Sequence, residues 1–135
     1  MKIAVIYWSG TGNTEMMAQA IAEGSGGELF KVSDFSGNPA DYDKIAFGCP
    51  AMGAEVLEEE EFDPFFTGIE NILSGKDVAL FGSYGWGDGE WMRNWEERTS
   101  AAGAKLFGGE GLMVNETPTD DDMEKCRAFG ADFAK

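Results

Sequence analysis

Apolar segments of strand length alternate with helical patterns along the chain, and this alternation is the strongest limit on how it can fold. Residues Val78–Phe81 are continuously apolar, as expected for a parallel strand that is covered on both faces. Strands that alternate with helices indicate an open α/β sheet, doubly wound with helices on both sides. The predicted strands are Lys2–Trp8, Glu28–Val32, Lys44–Gly48, Asp77–Ser83 and a broken pair at Lys105–Phe107 and Leu112–Val114; the predicted helices are Asn13–Glu23, Phe62–Leu73, Glu90–Ala101 and Thr119 to the end of the chain.

The connection between the second and third predicted strands is unusually short. Parallel strands are normally joined by a crossover of about a dozen residues or more, but only Ser33–Asp43 is available, and it contains Gly37 and Pro39. We therefore expect a helix of one turn at most here, or an irregular covering loop. The 135 residues contain no repeat and no linker, so residues 1–135 are predicted to form one domain.

The first strand runs into a turn with the sequence Ser9-Gly10-Thr11-Gly12-Asn13-Thr14, which opens the first helix. Such a turn leaves backbone N–H groups unpaired at the helix start, where the helix dipole adds positive potential, so it is a ready anion site. Its two glycines permit a tight turn and the close approach of a phosphate. No Lys or Arg lies between Ile3 and Phe30. The turn would therefore hold a phosphate through dipoles and hydrogen bonds, which suits a phosphate that is bound and not transferred.

Two familiar phosphate motifs do not match this turn. A Walker loop ends in Gly-Lys followed by Ser or Thr, and the lysine is missing. A dinucleotide fingerprint needs a third glycine three residues after the second, where this chain has Glu15. An ordinary glycine-rich turn capped by Asn or Thr is the structural alternative. The position after the first strand and the density of hydroxyl groups favour a mononucleotide phosphate.

Composition argues against several classes of function. A net charge of −15 disfavours nucleic-acid binding, which depends on clustered Lys and Arg, and suits docking onto basic protein surfaces. The chain has no His, which removes Ser-His-Asp and Cys-His catalysis and His-ligated metals.

The acidic run Glu58–Glu61 is most simply a solvated helix start favoured by the dipole. Cys49 and Cys126 are too few for a disulfide framework or an iron–sulfur cluster. No signal peptide or membrane span is visible, so a cytoplasmic protein is expected.

Ligands of open α/β sheets bind beyond the carboxyl ends of the strands, and the loop Tyr84–Trp91 lies at such an end. Three glycines flank Trp86 where no core is available to bury its ring. We interpret Trp86 as an aromatic plate for a flat ligand; the alternative is a ring folded back onto the protein. Trp91 and Trp95, four residues apart on a helix, are predicted to pack in the core.

The loop Cys49–Leu57 lies at the carboxyl end of the third predicted strand. The polarizable side chain of Met52 suits either an apolar contact with the ring system of a ligand or packing in the core. Gly53 permits more than one turn type, and Glu55 offers a carboxylate to a ligand N–H. The role of Trp8, at the end of the first strand, stays open. A phosphate turn, a Trp plate and this Met-Gly-x-Glu loop around one crevice describe a site for flavin mononucleotide (FMN).

The chain resembles a flavodoxin over essentially its whole length and is most similar to the short-chain flavodoxins of anaerobic bacteria. The motifs that carry the resemblance are Tyr7–Glu15 (YWSGTGNTE), Ala51–Glu59 (AMGAEVLEE) and Ala79–Gly89 (ALFGSYGWGDG). The resemblance implies a doubly wound, five-stranded parallel sheet in the order 2-1-3-4-5. It also implies FMN at the switch point between the first and third strands, a rule that flavodoxin itself illustrates.

The resemblance implies roles for individual residues as well. The turn Ser9–Thr14 would hold the phosphate, Met52 would cover the inner flavin face and Trp86 the outer one, and Glu55 would accept from the flavin N3–H. The backbone near Gly85–Gly89 would contact the pyrimidine ring. The predicted cofactor-binding residues are Ser9, Gly10, Thr11, Gly12, Asn13, Thr14, Ala51, Met52, Gly53, Ala54, Glu55, Ser83, Tyr84, Gly85, Trp86, Gly87, Asp88 and Gly89; no catalytic residue and no metal ligand is predicted. Ala54 and Pro50 depart from close relatives, which leaves a turn preference and one phosphate hydrogen bond in question.

The function implied is that of a low-potential one-electron carrier that shuttles non-covalently bound FMN between semiquinone and hydroquinone. It would be a monomer that docks through its acidic surface to basic redox proteins, namely reductases and acceptor enzymes, and not to nucleic acid or membranes. The alternative is an FMN-dependent NAD(P)H:quinone reductase, which needs a second pocket that Trp86 would block. A receiver-type signalling domain ranks third, because Trp8-Ser9 and Cys49 stand where that fold needs acidic residues.

Overall fold

Parallel strands and α-helices build the computed structural model, which describes residues 1–135, and they alternate except at two places where strand follows strand without an α-helix between them. The elements are β1 (Ile3–Tyr7), α1 (Asn13–Ser25), β2 (Glu28–Lys31), β3 (Lys44–Gly48), α2 (Phe62–Ile69), β4 (Asp77–Tyr84), α3 (Glu90–Ala101), β5 (Lys105–Leu106), β6 (Leu112–Asn115) and α4 (Asp120–Phe133). The sheet order β2-β1-β3-β4-β5 confirms the predicted doubly wound topology. No helix combines the length and the apolar character that crossing a membrane requires.

The fifth position of the sheet is filled by two separate segments. β5 pairs with the start of β4 (Lys105 opposite Asp77), and β6 pairs with its end (Asn115 opposite Tyr84). A 3₁₀ turn, Phe107–Gly109, lies between them. The predicted broken pair is therefore right, and the sheet has six strands in five positions.

The core consists of two apolar layers, one on each face of the sheet. One layer joins the sheet to α1 and α4, through residues such as Val5, Met17, Ile21, Phe81 and Phe133. The other joins it to α2 and α3, through residues such as Ile6, Phe47, Phe62, Trp91 and Trp95. Both predicted core tryptophans are 1% exposed, so that prediction is confirmed.

The short link between β2 and β3 holds two 3₁₀ turns, Val32–Asp34 and Pro39–Asp41, and no α-helix. Its Phe35 ring packs edge-on against Phe30 and Phe65, with ring centres 5.0 and 5.9 Å away. The link is therefore an irregular cover over one apolar layer, as the sequence predicts.

The acidic run before α2 is not the fully solvated face that the sequence suggests. Glu58 is only 5% exposed, and its carboxylate accepts hydrogen bonds from the backbone N–H groups of Glu60 (2.9 Å), Glu61 (2.8 Å) and Phe62 (2.8 Å). Burial raises the pKa of Glu58, but these three donors outweigh burial and leave the pKa below its ordinary value. Glu58 therefore caps the start of α2, whereas Glu59 and Glu60 remain exposed.

Replacement of the capping carboxylate should destabilise the protein in a pH-dependent way. Since the folded-state pKa of Glu58 is lowered, its charge stabilises the fold fully above the ordinary pKa of 4.5, and this contribution disappears as the pH falls through the lowered value. Glu58→Ala should lower the free energy of unfolding of the apoprotein by about 2 kcal/mol at pH 7, and by less at pH 3. Urea denaturation at the two pH values measures both. Glu59→Ala, the matched control, should change stability by less than about 0.5 kcal/mol. An equal loss at both pH values would show that the Glu58 charge has no part in the cap.

Candidate functional site

Three loops meet at the carboxyl edge of the sheet because β1, β3 and β4 are neighbours in it. They are the segments between β1 and α1, between β3 and α2, and between β4 and α3. Together with residues after β6 they enclose a cavity of about 350 Å³. The cavity is lined by Trp8, Gly10, Thr11, Asn13, Pro50, Ala51, Met52, Gly53, Ser83, Tyr84, Gly85 and Glu116. Nine of the eighteen predicted cofactor-binding residues are among these twelve.

The turn after β1 is organised by its own side chains. The Ser9 hydroxyl accepts hydrogen bonds from the backbone N–H groups of Gly12 (3.1 Å) and Glu15 (3.2 Å). Gly12, with φ of 96°, begins α1 in the left-handed conformation that glycine tolerates. The backbone N–H groups of Ser9, Gly10, Thr11 and Thr14 have no acceptor within the protein. Four free backbone donors at the start of a helix are suited to an anion, and the turn itself contains no Lys or Arg.

The Thr14 side chain does not face the open part of the site. Thr14 is 1% exposed, and its hydroxyl lies 2.8 Å from the Ser83 hydroxyl, while the Ser83 N–H donates to the Thr14 oxygen at 3.3 Å. This pair ties the start of α1 to the end of β4. Thr14 can therefore offer a ligand its backbone N–H, and its hydroxyl fixes the turn.

Two of the predicted cofactor-binding residues do not line the 350 Å³ cavity and line a neighbouring cavity. Ser9 and Gly12 face a cavity of about 440 Å³ between the ends of β1 and β2, which Lys31 and Ser33 also line. The Trp8 ring lines both cavities, and its Nε1 donates to Glu61 at 3.2 Å. The turn after β1 thus separates two open spaces, with Trp8 as part of the wall.

The loop after β3 presents Met52 to the first cavity. Ala51 N donates to Ser83 O at 3.0 Å, and Glu55 N closes a turn onto Met52 O at 2.8 Å. Met52 lines the cavity and is absent from both core layers, so the predicted alternative of core packing is not what the structure shows. Ala54 is exposed and does not line the cavity.

Glu55 joins the second loop to the third. Its Oε2 accepts from the backbone N–H of Trp91 at 3.0 Å, at the start of α3, where the helix dipole favours a carboxylate. Its Oε1 has no partner in the protein and would lie 1.8 Å from a Cβ at residue 87, and Gly87 itself has φ of 94°, a conformation that favours glycine. Glu55 itself has φ of 56°. One carboxylate oxygen therefore holds the loops together, and the other is free to accept from a ligand.

The loop after β4 carries Trp86 away from the protein. Trp86 is 69% exposed, so its ring is not folded back onto the core. None of the backbone N–H groups of residues 85–89 donates to an acceptor in the protein. Trp86, Gly87, Asp88 and Gly89 lie beside the cavity without lining it. The loop therefore offers donors and one exposed ring at the rim.

The sequence prediction missed three residues that line the cavity: Trp8, Pro50 and Glu116. The sequence leaves the role of Trp8 open and marks Pro50 only as a departure from close relatives. Glu116 follows β6, the last strand, and that position is the signal that could have found it, because the carboxyl ends of parallel strands share one edge. No group of three or more Cys, Asp or Glu side chains is arranged to hold a metal ion.

Comparison with known proteins agrees with this geometry. The flavodoxin family model matches residues 5–130. The chain is 45% identical to a flavodoxin of Megasphaera elsdenii, with 98% of each chain covered. It is 47% identical to a flavodoxin of Clostridium beijerinckii, with 96% of this chain and 97% of the relative covered. The solution structure of two-electron reduced Megasphaera elsdenii flavodoxin superposes with a TM-score of 0.86 at 43% identity, covering 98% of each chain. The chain therefore belongs to the flavodoxin family, whose members are FMN-binding electron-transfer proteins and not enzymes.

Proposed function

We propose that this protein binds FMN non-covalently at the carboxyl edge of its sheet and passes single electrons to and from basic redox proteins that dock at its acidic surface. When bound, FMN supplies the redox chemistry, cycling between its semiquinone and hydroquinone forms. The chain supplies binding, orientation and electrostatics. The observation that carries the proposal is the set of four free N–H groups at the start of α1, next to a cavity with an apolar contact at Met52.

The phosphate would be held by the turn after β1. The free N–H groups of Ser9, Gly10, Thr11 and Thr14 point to an anion that accepts several hydrogen bonds at once. The ring system would lie between Met52 and Trp86, with Glu55 Oε1 and the N–H groups of residues 85–89 as polar partners at its edge. These donors and acceptors match those of a flavin, which has both N–H and carbonyl groups on one edge.

Binding should depend on the phosphate. Because each charge-assisted hydrogen bond contributes about 1.5–3 kcal/mol, the apoprotein should bind FMN at least a hundredfold more tightly than riboflavin, as measured by fluorescence titration with each ligand. Inorganic phosphate should compete with FMN and leave riboflavin binding unaffected. Equal affinities for FMN and riboflavin would exclude the turn after β1 as the phosphate site.

The turn at Gly53 should control how readily the protein accumulates its singly reduced form. Neither Gly53 nor Ala54 has a positive φ. Reversing the peptide between them gives a type II turn, with positive φ at residue 54, or a type II′ turn, with positive φ at residue 53. Glycine tolerates positive φ and alanine resists it, so the glycine at residue 53 keeps the type II′ turn open to the loop. The flip reverses the Gly53 carbonyl and so makes an acceptor available for a proton gained on reduction.

Gly53→Thr should therefore lower the maximum fraction of singly reduced protein during stepwise reduction, measured by electron paramagnetic resonance. Affinity for oxidised FMN should change little, since a Cβ at residue 53 meets no atom within 4 Å. Ala54→Gly is the opposite control: it removes the penalty for positive φ at residue 54 and should raise the fraction. If both variants accumulate as much of this form as the parent, the turn has no such role.

The exposed acidic residues beside the site should guide basic partners. Glu59 and Glu60 are exposed and their side chains make no hydrogen bond in the protein, whereas Glu58 is buried as a cap and Glu61 accepts from Trp8 Nε1. Glu59 and Glu60 are therefore the two free to face a partner. Opposite charge at the rim of an interface raises mainly the association rate, and salt screens it beyond about 8 Å at physiological ionic strength.

Glu59→Gln/Glu60→Gln should slow electron transfer to cytochrome c, a small basic haem protein, by a few-fold at low salt, and the difference from the parent should vanish at high salt. Stopped-flow absorbance over a series of salt concentrations measures both. The control is Asp41→Asn/Glu97→Gln, which removes the same charge from exposed positions toward the opposite edge of the sheet and should have a smaller effect. Equal slowing by both pairs would mean that net charge, and not this surface, governs docking.

A further inference from the structure

The segment that carries Trp86, residues 85–89, has little structure of its own. It contains three glycines, and two of them have positive φ, at 94° for Gly87 and 93° for Gly89. Its backbone N–H groups have no acceptor in the protein, and the Trp86 ring is 69% exposed. Glycine-rich backbone loses much conformational entropy when it is ordered. The segment keeps one conformation only where neighbouring residues hold its ends.

The first end of the segment is held by Asn115, the last residue of β6. The Asn115 amide nitrogen donates to the backbone carbonyls of Gly85 (2.9 Å) and Tyr84 (3.2 Å). The next residue, Glu116, donates its N–H to the same Tyr84 carbonyl at 2.6 Å. Asn115 lies opposite Tyr84 in the strand register, at the point where the chain leaves the sheet.

The other end of the segment is held by α3. Arg93 donates to the Asp88 carbonyl at 2.9 Å and to its carboxylate at 3.0 Å. Both side chains of that ion pair are more than half exposed, and exposed pairs contribute little. Trp86 and Gly87 lie between the two holds. On the N-terminal side of Trp86, the Asn115 amide is therefore the side chain that hydrogen-bonds to the segment.

We infer that Asn115 is a positioning residue of the flavin site, whose amide clamps the Tyr84 and Gly85 carbonyls and so fixes the segment that presents Trp86. The inference rests on the proposed function for the role of Trp86 toward FMN, but the clamp itself exists without any ligand. An amide suits the task because its nitrogen carries two hydrogens and can serve two carbonyls at once. A segment that is ordered before binding costs less to order on binding, which raises affinity without a new contact to the ligand.

The clamp is tested first in the apoprotein. Asn115→Ala removes both hydrogen bonds, and Asn115→Asp replaces the donors with a carboxylate that faces two carbonyl oxygens. In both variants the ¹⁵N order parameters of residues 85–88 should fall, while those of β4 and β6 stay near the parent values. Asn71→Ala, an exposed asparagine whose side chain makes no hydrogen bond in the protein, is the control and should leave them unchanged. Unchanged order parameters in both Asn115 variants would overturn the inference, whether or not FMN binds.

The link to the flavin is tested by a double-mutant cycle with FMN. Asn115→Ala should raise the FMN dissociation constant about tenfold, the loss expected for two hydrogen bonds to exposed carbonyls. In the Trp86→Ala background the same substitution should raise it less than about twofold, because the ring that the clamp positions is gone. Full additivity of the two substitutions would show that Asn115 does not act through Trp86. Failure of the parent protein to bind FMN would reject the proposed function. The order parameters of the apoprotein would still show whether Asn115 holds the segment.

Discussion

Unpaired backbone N–H groups at the start of α1 are the constraint on which the rest of the site depends. N–H groups without acceptors are costly where they are shielded from water. Four N–H groups without an acceptor in the protein lie in this one turn, two of them at the exposed residues Gly10 and Thr11. The Ser9 hydroxyl uses two other N–H groups to hold the turn in shape, and the Thr14–Ser83 pair fixes it to β4. The hydroxyls of Ser9 and Thr14 therefore fix the shape of the turn, and four of its backbone donors remain free. An anion that accepts several hydrogen bonds at once satisfies the arrangement.

The same arrangement would allow a chain with a net charge of −15 to hold a phosphate, as we propose. Distant carboxylates are screened by salt, whereas hydrogen bonds within the turn are not. The nearest carboxylate on α1, Glu15, accepts a hydrogen bond from the Tyr7 hydroxyl at 2.7 Å. Burial, and secondly this hydrogen bond, raise the pKa of Tyr7 far above its ordinary value, so the hydroxyl stays neutral and remains a donor. Within the turn itself, which holds no Lys or Arg, the backbone dipoles and N–H groups are the source of positive potential.

The fold could be predicted from the sequence because local patterns determine it. Apolar runs, helical periodicity and short connections set the strands, the helices and the irregular link before β3. The site could be predicted as three loops, but not as a network, because its hydrogen bonds join residues far apart in sequence. Four consecutive glutamates look alike, and only the tertiary fold selects Glu58 as the cap of α2. Likewise, Asn115 acts on residues 84 and 85 only because β6 lies beside β4.

Two glutamates show where tertiary contacts override local preference. Glu55 and Glu116 are the only non-glycine residues with positive φ, at 56° and 59°, a conformation that costs about 1–3 kcal/mol unless neighbouring contacts hold it. Each is held by hydrogen bonds at the site: Glu55 through Met52 O and the Trp91 N–H, Glu116 through Tyr84 O. Nothing in either local sequence selects the left-handed region, so no pattern could have found them. Both lie where a loop turns at the edge of the site, and at Glu55 the conformation carries a carboxylate that joins two loops. The strain is therefore concentrated at these two residues, whereas the turn after β1 has glycine, Gly12, at its position of positive φ.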